Sequence, residues 1–228
     1  MTTPQRRVLV TGASSGIGFA IVERLLADGW SVLAASRTTP AIEHPELQWR
    51  ATDLSDPADV EALAAGAGPV DAVVYAAGIQ SSAPLGELDA EAGAAMWRLH
   101  VAAPSALLNA LAATLPDRAR IVLVGSRTAT GVAGKSQYSA TKAALVGLSR
   151  SWAMELAPRG ITVNVIAPGP TDTPMLADPR RAATPPRVPA LGRLVQPAEV
   201  AGLTSFLLGP DGGSTTGQHL VMCGGASL

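Results

Sequence analysis

Short apolar runs alternate with amphipathic stretches along nearly the whole chain. Val8–Val10 is the first run, and the turn TGASSGIG follows from Thr11 to Gly18. Apolar positions then recur at helical spacing from about Gly16 to Ala27 and stop at Gly29, as a C-terminal glycine would stop a helix. Further strand-length runs are Ser31–Ser36, Leu47–Arg50, Asp71–Ala76, Arg120–Ser126, Ile161–Ala167 and His219–Met222. A helix capped by Asp56, with Pro57 at its first position, is expected after the third run. Two helical stretches are expected after the fourth, the second over about Ala94–Leu115 despite Pro104. Two more cover about Gln137–Leu156 and Pro197–Leu208, whereas residues 170–192, rich in Pro, Arg and Thr, have no clear period. Strands alternating with helices read as right-handed crossovers. The pattern therefore predicts one α/β domain over residues 1–228, a doubly wound parallel sheet of seven strands with helices on both faces.

Composition narrows the function. Charged residues make up 15% of the 228 positions, against about 25% in an average domain. A net charge of −1 gives no electrostatic reason to expect nucleic acid or a membrane surface as partner. Cys223 is the single cysteine, which precludes an internal disulfide. The start MTTPQRR runs straight into VLVTG, so no signal peptide is expected. With no apolar run of about 18 residues, neither is a membrane span. A cytoplasmic location is the expectation.

Candidate chemistry sits where strands end. The first turn supplies Gly12, Ser14, Ser15, Gly16, Ile17 and Gly18 between a strand and a helix start, the context in which backbone amides hold a pyrophosphate. The second strand ends in Ser36-Arg37 with no acid, so Arg37 is the candidate for a ribose 2′-phosphate. Read alone, it is also an ordinary solvated arginine. Asp53, followed by Leu54, could hydrogen-bond an adenine amino group or simply shape a turn. Small residues in YAAG, including Ala77 and Gly78, let a nicotinamide ribose pass close to the backbone. PGPTDT places Pro168, Gly169, Thr171 and Thr173 where a carboxamide would lie. Tyr138 and Lys142, four apart on one helix, share a face, and Ser126 ends the fifth run. An ammonium beside a phenol favours its ionised form, so Tyr138 is expected to titrate below the ~10 of a free phenol. No metal-ligating set is singled out.

In this order the motifs resemble the short-chain dehydrogenase/reductase family in its single-domain form, over essentially the whole chain. The resemblance implies a Rossmann fold and an oxidoreductase that moves hydride between NADP(H), or alternatively NAD(H), and a secondary alcohol or ketone. It implies Tyr138 as acid/base, Lys142 on the nicotinamide ribose and Ser126 on the substrate oxygen. The sequence departs from the family pattern at three places. His100 stands where an Asn usually holds a relay water, YAAG replaces NNAG, and Cys223 precedes the closing Gly224-Gly225. Ser126 also lies one residue nearer Tyr138 than usual. His100 is accordingly a candidate for the proton relay or for a structural role.

The substrate lid is expected over 174–192, stiffened by Pro174, Pro179, Pro185, Pro186 and Pro189. Arg180, Arg181 and Arg187 could favour an anion or lie in solvent. Family members commonly pair two long helices across two-fold axes, so a homodimer or homotetramer is expected. Small residues at Ala140, Ala143, Ala144, Gly147 and Ala153 are compatible with that. The rival reading is a dinucleotide-binding relative without efficient turnover, a redox sensor or scaffold. The extended branch with sugar-nucleotide substrates would need a larger C-terminal domain.

Overall fold

The apolar runs form seven strands: β1 (Arg7–Thr11), β2 (Ser31–Ser36), β3 (Leu47–Ala51), β4 (Ala72–Tyr75), β5 (Arg120–Val124), β6 (Thr162–Pro168) and β7 (His219–Met222). The computed structural model describes residues 5–181, 184 and 188–228, so the expectations for Pro185, Pro186 and Arg187 lie outside the described residues. All strand pairs are parallel, in the order β3-β2-β1-β4-β5-β6-β7. The helices are α1 (Gly16–Ala27), α2 (Pro57–Gly66), α3 (Ala90–Trp97), α4 (Ala103–Leu111), α5 (Ser136–Leu156) and α6 (Pro197–Leu208). None is long and apolar enough to cross a membrane.

Alternate residues of each central strand serve opposite faces. Leu9, Val73, Leu123 and Val165 pack with Leu63 of α2, Leu107 of α4 and Leu145 of α5. Val8, Val10, Val74 and Val122 pack with Ile21 and Leu25 of α1 and Leu207 of α6. Burial on both faces explains why these strands read as continuous apolar runs. Thr11 of β1 pairs with Ala35 of β2 on one side and Tyr75 of β4 on the other. The strand order reverses there, opening a crevice at the carboxyl ends of the strands.

The region after β4 differs from expectation. The chain first turns through Pro84 and Gly86, and helix begins at α3, ahead of Ala94, where Asp89 caps it by accepting from the amides of Glu91 and Ala92. The second expected stretch is interrupted by a π-helical turn, Arg98–Ala102, between α3 and α4. Pro104 accounts for the break. The Ala103 amide reaches back to the Arg98 carbonyl, but the next residue has no N–H to offer Leu99. The buried Tyr75 hydroxyl instead donates to the Leu99 carbonyl at 2.7 Å. The tyrosine of YAAG thus braces the helix that Pro104 interrupts. Tyr75→Phe should destabilise the fold by about 1–3 kcal/mol, the cost of a buried carbonyl left without a donor. Urea unfolding of the two proteins checks this, and equal midpoints would refute it.

Candidate active site

A cleft of about 830 Å³ runs along the carboxyl ends of the strands. The first turn forms one wall. Gly12 has φ +68°, and a Cβ there would come within 2.7 Å of the Ala77 amide nitrogen, so no larger residue fits. Ser15 precedes α1 without capping it through its side chain, and no acid occupies the first turn. The leading amides of α1 therefore face the cleft without a side-chain partner, as an anion site requires.

Towards β3, Arg37 is exposed at the end of β2 and lines the cleft. The Ser36 hydroxyl is turned onto the Thr38 carbonyl at 2.8 Å. Asp53 also lines the cleft, but Oδ1 accepts from the Ser55 amide at 2.9 Å, so part of this carboxylate shapes a turn. Opposite, Gly169 lets β6 approach the chain end: a Cβ there would lie 2.8 Å from the Cys223 backbone. Thr171 Oγ1 donates to the Gly169 carbonyl at 3.0 Å, holding PGPTDT as a turn. Every residue nominated from sequence for cofactor contact lines this cleft, as do Ser126, Tyr138 and Lys142, whereas His100 lies behind it.

Tyr138 and Lys142 occupy successive turns of α5, with the Lys142 nitrogen 5.8 Å from the phenol ring centre. Lys142 is 5% exposed and donates to the Val124 carbonyl at 2.9 Å. Burial pushes its pKa down to about 8. The expectation that Tyr138 titrates below a free phenol is overturned. Burial raises its pKa, and the nearby Ser126 hydroxyl and Arg181 guanidinium only partly offset this. Spacing alone had put Lys142 close enough to dominate, but its nitrogen turns to Val124, and desolvation outweighs the charge. Ser126 hydrogen-bonds Thr128, through the hydroxyl at 2.9 Å and the amide at 3.2 Å.

His100 is 1% exposed. The Ile79 amide donates to Nε2 at 3.1 Å, so the ring proton sits on Nδ1. Nδ1 donates to Thr141 Oγ1 at 2.8 Å, which in turn donates to the Tyr138 carbonyl at 2.8 Å. Burial first, and then the Lys142 charge, hold His100 well below its ordinary pKa. Its ring packs edge-on to Tyr138 at 5.7 Å. Sequence reasoning missed Thr128 and Thr141, two beyond Ser126 and three beyond Tyr138. That spacing was the available signal. It also missed Lys135, which lines the cleft one turn before Tyr138.

The sequence profile described as short chain dehydrogenase matches residues 6–183. The chain belongs to the short-chain dehydrogenase family. This short-chain dehydrogenase is 35% identical, over 93% of each chain, to a cyclic-di-GMP-binding biofilm dispersal mediator protein of Escherichia coli (strain K12). It is also 35% identical, over 95% of each, to the 3-oxoacyl-[acyl-carrier-protein] reductase FabG of Salmonella typhimurium. Among solved structures, a short chain dehydrogenase from Burkholderia cenocepacia J2315 in complex with NADP superposes with a TM-score of 0.85 at 34% identity, over 98% of each chain. The dehydrogenase is thus an oxidoreductase of the nicotinamide-dinucleotide type.

Proposed function

We propose that this short-chain dehydrogenase interconverts a ketone and a secondary alcohol with NADP(H), using Tyr138 as the acid/base. One observation carries the reading: the phenol, the Ser126 hydroxyl and the Lys142 ammonium converge on the end of the cleft beside Gly78, where a Cβ would be 3.7 Å from the Lys142 nitrogen. The residues fit a dinucleotide. The open amides of α1 suit a pyrophosphate, and Arg37 suits a 2′-phosphate. Asp53 and Leu54 would flank the adenine, and Thr171 and Thr173 the carboxamide. When bound, the cofactor supplies or accepts the hydride. Ser126 positions the substrate oxygen, and Tyr138 gives it a proton in reduction and takes it back in oxidation. Lys142, whose ammonium lies beside Gly78, would hold the ribose there. His100, neutral and bonded at both nitrogens, acts as a positioning residue that fixes Thr141 and the first turn of α5 to the end of β4.

The outer stripe of α5 exposes Ala140, Ala143, Gly147 and Met154, which supports a two-fold helix pairing between subunits, whereas Ala153 points into this subunit's own core. Purified enzyme with NADPH should consume it with members of a small-ketone and diketone panel. The binding mediator from E. coli favours a second reading, in which the cleft senses a nucleotide without turnover. Tight NADPH binding with no oxidation across the panel would establish that reading instead.

A further inference from the structure

At the catalytic end of the cleft the lining side chains are cations, and the nearby acid, Asp178, is already engaged. Lys135, Arg127 and Arg181 line it next to Ser126 and Tyr138. Among the described residues that line the cleft, the one carboxylate is Asp53, at the β3 end. Lys135 is 7% exposed, and its ammonium makes no ion pair with a described residue. It also stands at the N-terminus of the 21-residue helix α5, where the backbone dipole already disfavours a cation. Arg181 donates to the Met175 carbonyl at 3.1 Å, while its Nε is buried without a partner among the described residues. The acid on this segment, Asp178, is held by Arg180, whose Nε contacts both carboxylate oxygens at 3.0 and 3.1 Å. The chain as a whole has a net charge of −1, so this is not part of a generally basic surface.

Burial, and then Arg181 and Arg127, push Lys135 down to about 8. A buried ammonium beside two guanidinium groups and a helix N-terminus opposes folding. Local conflicts of this kind are kept where a ligand resolves them. The ligand that resolves this one is an anion.

We propose that Lys135 and Arg181, with Arg127 beside them, bind an anionic group of the substrate, so that the enzyme acts on ketones or alcohols bearing a carboxylate or phosphate a few bonds from the reacting carbon. This rests on the oxidoreductase reading of the same cleft. Lys135 is one turn before Tyr138, which sets the short separation between the two groups.

The test compares kcat/KM for acetoacetate and levulinate with their methyl esters, and for dihydroxyacetone phosphate with dihydroxyacetone. The wild type should favour an anionic member at least tenfold, and the favoured pair shows whether carboxylate or phosphate is bound. Lys135→Met should bring that ratio near one by raising KM for the anion, and Lys135→Arg should retain it. Circular dichroism confirms that both variants fold. Equal use of anionic and neutral members by wild type would overturn the proposal. So would a Lys135→Met enzyme with unaltered preference and tenfold weaker NADPH binding, which would assign these cations to the cofactor. If no ketone is turned over, the oxidoreductase reading fails separately. Calorimetry with levulinate and dihydroxyacetone phosphate then decides: binding lost in Lys135→Met supports the anion site, and binding absent in both proteins or equal in both overturns it.

Discussion

Tyr138→Phe should lower kcat for ketone reduction roughly a thousandfold, the middle of the range for a lost general acid. NADPH should still bind, because the glycine turn at Gly12–Gly18 and Arg37 lie towards the other end of the cleft. Fluorescence titration of NADPH and initial rates on one ketone check the two halves. The structure adds a pH signature. Burial raises the Tyr138 pKa above that of a free phenol, so the phenol is protonated at neutral pH. Reduction needs that proton and should stay level through neutrality, falling only at alkaline pH. Oxidation needs the phenolate and should climb with pH. A reductive rate that falls between pH 6 and 7 would contradict a phenol donor raised by burial. A Tyr138→Phe enzyme within tenfold of wild type would remove Tyr138 from the chemistry.

Arg37→Asp should shift the NADPH/NADH ratio of kcat/KM towards NADH by about two orders of magnitude. A charged hydrogen bond contributes about 1.5–3 kcal/mol, and the new carboxylate adds repulsion. At about 1.4 kcal/mol per factor of ten, the two together reach that size. Arg37 is exposed and its side chain makes no hydrogen bond or ion pair with a described residue, so the substitution leaves the fold intact and the change is read cleanly. Steady-state kinetics with both cofactors measure it. A wild-type enzyme that already prefers NADH would refute the 2′-phosphate assignment.

Much of this was legible in the chain. A strand buried on both faces must be apolar through its middle, so β2 could be read to the residue. Pro57 and Pro197 fixed helix starts because a missing N–H costs nothing there. The same residue type misled at Pro104. Sequence shows that a proline interrupts a helix, but not that a tyrosine 29 positions earlier supplies the missing donor.

By itself, the sequence determined the doubly wound sheet, the glycine-rich turn after β1 and the shared face of Tyr138 and Lys142, because each follows from local spacing and backbone sterics. Three matters were settled only by tertiary structure. They are the upward shift of Tyr138, the neutral state of His100 between Ile79 and Thr141, and the unbalanced cations at Lys135 and Arg181. All three depend on desolvation and on partners far apart in the chain, and a pattern of residue types carries neither.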